Sequence, residues 1–181
     1  MKKILFALII IALPLSVIAQ YQNYPDLGLK TIGVKVGPAI PDSQHKVGFA
    51  LAVFSDLGKL HEIVGLEASL EYFRVTKEVQ QIYTNSHSDI AVYPTLKIMP
   101  KVESVKFQPY IGGGLGVHYL TDTPDERLTN ADKNTSTRLE VHLTVGSTFR
   151  ITDDITGVGC FKINLSDIST YNPYFGVSFN M

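Results

Sequence analysis

Apolar side chains recur at every second position in runs of about ten residues, and these runs continue to the last residue of the chain. In the clearest run the apolar side holds Val64, Leu66, Ala68, Leu70 and Tyr72. The opposite side holds Gly65, Glu67, Ser69 and Glu71. Small and charged residues on one side and large apolar residues on the other are typical of a strand between lipid and a narrow polar lumen. The pattern therefore predicts an all-β transmembrane barrel.

Eight such runs predict eight antiparallel strands. They occupy positions 31–37, 47–53, 64–72, 90–98, 110–119, 138–146, 155–165 and 174–181. Pro38 and Pro41 are expected to end the first strand in a loop, and Pro94 removes one backbone donor from the fourth. The seventh strand is the least regular, because Val158 and Cys160 place apolar side chains on its polar side.

The lengths of the connections predict the orientation of the barrel. Connections two, four and six, at 56–60, 100–106 and 152–154, are expected to be compact. Connections three and five, at 77–88 and 121–136, are expected to be long and polar. Outer-membrane barrels have short periplasmic turns and longer external loops, and an even number of strands leaves both termini on one side. The long connections are therefore expected to face the cell exterior.

The first 19 residues have the features of a cleavable secretory signal. Lys2 and Lys3 precede an apolar stretch, and Val17 and Ala19 stand three and one residues before a predicted cut ahead of Gln20. The apolar stretch is shorter than the roughly 20 residues that a membrane-spanning helix requires. The sequence therefore predicts a signal peptide at 1–19 and a single barrel domain at 20–181, with one cysteine and no internal disulfide framework.

The charge balance excludes one class of partner. Of the 16 basic side chains, Lys2 and Lys3 are removed with the signal, so 14 remain against 17 acidic ones. Nucleic-acid-binding proteins carry a basic surface instead. No nucleic-acid partner is expected.

Two segments resemble small outer-membrane β-barrel proteins of the opacity, OmpX and OmpW types, which are porin-family barrels. Pro109–Val117 reads PYIGGGLGV and is similar to their Pro-Tyr-x-Gly-x-Gly strand, and Tyr174–Met181 resembles their closing strand. The resemblance implies the outer membrane of a double-membraned bacterium as the location. It also implies membrane lipid and the barrel-assembly machinery, through the C-terminal strand, as partners.

Charged and titratable side chains are predicted to face the lumen at eight positions. They are Lys35, Glu67, Glu71, Lys97, Arg138, Glu140, His142 and Lys162. Side chains nearly fill the interior of an eight-stranded barrel, and a buried charge without a partner is costly. These residues are therefore interpreted as a paired stabilising network, in preference to a pathway for protons or ions.

Other chemistry is not supported by the sequence. A hydroxyl, imidazole and carboxylate set is available from Ser86, His87, Ser88, Asp89, His118 and Asp122. Its spacing matches no lipid-modifying enzyme pattern, and no two histidines have ligand spacing on one strand. The glycine cluster in the fifth strand is not followed by a helix, as a phosphate-binding loop would be. No enzyme activity, cofactor or metal is predicted.

The leading functional interpretation is a non-enzymatic outer-membrane barrel with surface loops, serving envelope structure or surface interaction with an extracellular partner. The alternative is an exported soluble β-barrel that binds a hydrophobic ligand. Alternation alone fits both architectures, because inverting a barrel leaves the period unchanged. The many glycines on the small-residue side, and the absence of tryptophan, favour the membrane barrel.

Overall fold

Eight antiparallel strands form one closed ring in the computed structural model of the chain, which describes residues 24–42, 44–79, 83–102, 106–125, 133–165 and 168–181. The strands are β1 Asp26–Pro41, β2 Lys46–His61, β3 Val64–Val79, β4 Tyr83–Ile98, β5 Phe107–Thr123, β6 Asn134–Arg150, β7 Ile155–Leu165 and β8 Thr170–Asn180. Each strand pairs with its neighbour in sequence, and β8 pairs with β1 to close the ring. The predicted fold class is confirmed. The predicted signal at 1–19 lies outside the described residues and stays a prediction.

The two faces of the sheet differ in polarity as the alternation predicts. Outward side chains are large and apolar, and many are about half exposed, as at Val36, Ile111 and Val145. Inward side chains include buried lysines, glutamates, histidines and asparagines. A soluble barrel that carries a hydrophobic ligand would have the opposite polarity, so this distribution argues against that alternative. The outer face is suited to lipid. No helix in the described part of the chain is long and apolar enough to cross a membrane.

The prediction that the prolines break the first strand in a loop is wrong at Pro38, whereas the strand does end at Pro41. β1 continues through Pro38, which stays in register with Phe49 of β2. The ladder to β8 lapses between Val36 and Ile40, so the position without an N–H lies where one of the two ladders is interrupted. Pairing with the other neighbour is enough to keep this segment extended.

The second predicted turn is also displaced. The polar residues around Asp56 and Gly58 lie within β2, and the chain turns at Glu62 and Ile63. The register with β3 shifts between Asp56 and Lys59, which marks a β-bulge. Gly58 has a φ of 91°, and its N–H donates a 2.7 Å hydrogen bond to Oδ1 of Asp56. Turn-type residues here bend a strand and do not end it.

The third connection is much shorter than predicted. β3 and β4 stay paired from Val64 and Ile98 up to Val79 and Tyr83, so most of the expected loop at 77–88 is strand. The fifth connection, between Thr123 and Asn134, is still the longest, and the sixth is compact, as predicted. The seventh strand has the predicted bounds, with Val158 and Cys160 buried inside the barrel.

Candidate functional site in the barrel lumen

Glu67 is the centre of one ion-pair cluster in the lumen. Its carboxylate oxygens accept from Nζ of Lys35, at 3.2 Å, and from Nζ of Lys97. All three side chains are at most 6% exposed. They come from β1, β3 and β4, so the cluster spans part of the lumen and holds two cations against one anion.

Glu71, four residues beyond Glu67 on the same face of β3, forms a second cluster. It accepts from Nζ of Lys162 on β7 at 2.7 Å and from the amide of Asn172 on β8 at 3.5 Å. Nζ of Lys162 also lies 3.1 Å from the centre of the Tyr93 ring, on its face, which is a cation–π contact. This cluster crosses the lumen, because β3 and β7 are not neighbours in the sheet.

Aromatic rings fill the space between these charges. Nζ of Lys97 lies 4.5 Å from the centre of the Tyr110 ring, and Nζ of Lys35 lies 5.1 Å from that of Phe54 and 5.5 Å from that of Tyr174. The sequence prediction did not include these rings. Their phase, on the small-residue side of each strand, is the signal that places them in the lumen.

A further cluster, His118 with Asp89 and Glu140, lies nearer the end of the barrel that carries the fifth connection, the end predicted to face the exterior. Nδ1 of His118 donates to Oδ2 of Asp89 at 2.5 Å and lies 3.3 Å from Oε2 of Glu140. The three residues are at least 93% buried. Tyr93 separates this cluster from the lysines, with its ring centre 5.0 Å from that of His118 and 4.7 Å from that of His142.

The mouth of the barrel at this end holds another imidazole and carboxylate pair. Nδ1 of His87 lies 2.6 Å from Oδ1 of Asp122, and the His45 ring stands 6.3 Å from the His87 ring, centre to centre. Partial burial, together with the nearby His87, lowers the pKa of His45 below its usual range. A cavity of about 170 Å³ opens here, lined by His87, Leu120, Asp122, Ser136, Arg138, Glu140 and Ile168.

Seven of the eight predicted lumen residues are buried in the barrel. Arg138 lies closer to the mouth of the barrel, where its side chain is exposed in the wall of the mouth cavity. The lysines at 35, 97 and 162 contact Glu67 and Glu71, whereas Glu140 lies beside His118. His142 bonds to Oγ1 of Thr95 at 2.9 Å. The lumen thus holds two charge groups, one of lysine and glutamate and one of histidine and carboxylate.

The serines of the considered hydrolytic set lie on the other face of the sheet. Ser86 and Ser88 line an outer groove with Tyr72 and Tyr119, while His87 and Asp89, at alternate positions of β4, point inward. The imidazoles pair with carboxylates across strands. Ser86 also lines a pocket at the mouth with His87 and Asp122, but no hydrogen bond joins either serine to an imidazole among the described residues, so the described geometry assembles no triad.

Comparisons with known proteins place the fold in a recognised group. No family model matches the chain, and no curated protein matches it. Among solved structures, Neisserial surface protein A has a TM-score of 0.62 at 12% identity, covering 83% of this chain and 96% of that one. The outer membrane protein OprG from Pseudomonas aeruginosa has a TM-score of 0.57 at 14% identity, with coverages of 84% and 96%.

Ail, the attachment invasion locus protein of Yersinia pestis, has a TM-score of 0.56 at 10% identity, covering 85% of this chain and all of that one. At such identities the similarity establishes the fold. The apolar outer surface and the polar lumen agree with it. The chain therefore has the fold of the small eight-stranded outer-membrane β-barrels.

Proposed function

We propose that this protein is a closed, non-enzymatic barrel of the bacterial outer membrane that acts through its external rim, in envelope structure or in contact with a partner at the cell surface. The observation that carries the proposal is the filled lumen. A barrel whose interior is occupied by paired charges and aromatic rings offers its outer surface and rim for function, and not a passage.

The lumen is blocked at two successive levels. Glu67 joins Lys35 and Lys97 at one level, and Glu71 joins Lys162 across the barrel at the next. A passing ion would have to separate these buried pairs, and a buried charge without its partner is unfavourable. The interior of an eight-stranded barrel is only wide enough for its own side chains. Free conduction is therefore not expected.

The external rim is uneven and supplies the surface for interaction. β7 ends at Leu165, opposite Val141, so the part of β6 from Asn134 to Glu140 rises above its β7 neighbour. On the other side this part of β6 stays paired with β5. The rim around this wall carries polar and charged side chains, among them exposed Asp122 and Lys133, and exposed Glu78 lies at the same end of β3. It stands above the apolar belt, where water and external partners have access.

The predicted signal and the last strand support the proposed location and the proposed route of assembly. The secretory signal predicted at 1–19 would direct export, and the lipid-facing belt suits the outer membrane. On β8, Phe175 and Phe179 point outward at 71% and 51% exposure, beside inward Ser178. This alternation in the last strand supports recognition by the barrel-assembly machinery.

A sulfated saccharide is a suitable first probe of the rim. One structure of Ail, 11% identical with a TM-score of 0.53 and coverages of 85% and 100%, is a complex with the heparin analogue sucrose octasulfate. In this chain Lys46, Arg74 and Lys133 are exposed near the same end of the barrel. Sulfate groups would pair with such cations.

Three measurements test the proposal. Purified protein in planar lipid bilayers should give no large, steady current, and cells that produce it should keep the lipid composition of cells that do not. Intact cells that produce it should bind a surface ligand, with sucrose octasulfate tested first, and Lys133→Glu should weaken binding to that probe. Stable porin-sized currents would show that the lumen is a pathway, and a changed lipid profile would show an enzyme.

A further inference from the structure

We propose that Asp89, His118 and Glu140 form a buried binding site for a divalent transition-metal ion of the zinc type. The site lies in the external half of the lumen. It is distinct from the lysine and glutamate pairs that block the barrel, and no residue of those pairs contributes to it.

The register of three neighbouring strands brings the ligands together. His118 on β5 stands opposite Ala91 of β4 and Arg138 of β6, so Asp89 and Glu140 are its diagonal neighbours, two residues away on each side. All three point inward. One ligand atom from each residue lies within 4.8 Å of the others, so modest movements of the side chains would place all three around one ion.

Two buried atoms of this cluster lack a hydrogen-bond partner among the described residues, namely Oδ1 of Asp89 and Nε2 of His118. Both residues are 99% buried, and such atoms normally find a partner. The N–H at Nδ1 of His118 now donates a hydrogen bond to Oδ2 of Asp89. When Nδ1 binds a metal, Nε2 can carry that proton instead, and the second oxygen of Asp89 can join the coordination. The cluster thus has spare capacity for a cation.

The donor set selects the class of ion. One imidazole nitrogen with two carboxylates suits zinc and similar first-row ions, whereas calcium and magnesium prefer sites built from oxygen alone. Three protein ligands leave a fourth position of a tetrahedral zinc ion for water or another molecule. Two carboxylates also offset the charge of a divalent ion in a buried place.

The surroundings give the site an opening toward the exterior. Glu140 lines the 170 Å³ mouth cavity together with His87 and Asp122. On the opposite side the ring of Tyr93 packs against His118, and Nζ of Lys162 lies on the face of that ring. An ion that enters from the mouth would therefore reach the cluster and stop there.

Calorimetry of the folded, full-length barrel in detergent with zinc chloride tests the site. We expect one zinc ion per chain, with calcium and magnesium binding far more weakly. Glu140→Gln and His118→Gln should each weaken zinc binding by about tenfold or more, because each removes one ligand. His61→Gln is the matched control, since His61 ends β2 at the opposite end of the barrel, and it should bind zinc like the wild type.

A folding check and a spectroscopic measurement separate loss of zinc binding from loss of the folded barrel. Each variant is first shown to be folded by heat-modifiable gel mobility, and X-ray absorption of the zinc-loaded wild type should then show nitrogen and oxygen ligands at about 2.0 to 2.2 Å and no sulfur. The proposal is overturned if the wild type shows no saturable zinc binding up to about 1 mM. It is also overturned if His87→Gln abolishes binding while Glu140→Gln preserves it, because the ion would then sit at the mouth.

Discussion

Glu71 illustrates how one buried charge stabilises the barrel. Its carboxylate holds Lys162 at 2.7 Å, and both side chains are at most 4% exposed. Glu71→Ala should lower the free energy of unfolding by about 3 to 5 kcal/mol, because it leaves a buried ammonium without its anion. Denaturant titration of the barrel in detergent or lipid measures the change.

Glu78→Ala is the matched control for Glu71. Glu78 pairs with Lys46, but both side chains are more than half exposed, and such surface pairs contribute about 1 kcal/mol or less. Equal losses of unfolding free energy in the two variants would mean that the buried pair stabilises the barrel no more than the exposed pair does.

Gly116 makes room for Tyr93 at the centre of the lumen. A Cβ atom at this position would lie 2.3 Å from Cδ1 of the Tyr93 ring, which is too close for any real contact. Gly116→Ala should therefore destabilise the barrel by about 1 to 3 kcal/mol through overpacking. At Gly159 an added Cβ meets nothing within 4 Å, so Gly159→Ala should be tolerated. If the two variants unfold alike, steric contact at Tyr93 is not the reason for the glycine.

The sequence predicts which residues face the lumen but not which residues pair. Period-two alternation fixes the side of each residue, and seven of the eight predicted lumen residues are buried. Partners such as Glu71 and Lys162 are 91 positions apart and meet across the ring. The set of Asp89, His118 and Glu140 has one member on each of three strands, so no spacing within one strand reveals it.

At the scale of the strands, the sequence predicts that they exist but, apart from β7, not where both of their ends lie. Apolar alternation stops where lipid stops, whereas the sheet continues into water as long as neighbouring strands supply hydrogen bonds. β3 and β4 therefore stay paired through polar Lys77 and Asn85. Residues that usually form turns can instead form a β-bulge within a strand, and the sequence prediction then places a turn where there is none. The hydrogen bond between Gly58 and Asp56 lies in such a bulge.

The outward apolar residues of β6 form a belt, and a charged substitution within this belt should destabilise the folded barrel. Leu143 is 51% exposed and lies between Leu139 and Phe149, near the middle of the outward apolar residues of that strand. Leu143→Arg should lower folding stability in bilayers by about 2 to 4 kcal/mol, whereas Ile151→Arg, in the turn after β6, should cost about 1 kcal/mol or less. Refolding titrations in lipid vesicles measure both. Similar tolerance at the two sites would contradict the assigned belt.

At the scale of the whole molecule, the even strand number and the uneven rim predict the orientation. Lys133→Cys, beside the long fifth connection, should react with a membrane-impermeant maleimide on intact cells, and Glu62→Cys, in the turn after β2, should not. The native thiol gives little background, because Cys160 is the chain's one cysteine and is buried. Labelling at Glu62→Cys and not at Lys133→Cys would show that the barrel has the opposite orientation.

The ion pairs that cross the lumen also constrain how the barrel enters the membrane. Glu67 and Glu71 lie on β3, and their lysine partners lie on β1, β4 and β7. A flat sheet of the first few strands would expose these charges to lipid with Glu71 still unpaired. The sheet must therefore curl before or during deep insertion. Lys162 of β7 can then pair with Glu71 before water leaves the lumen. The barrel should thus insert and fold as one cooperative unit, with no stable half-inserted hairpins.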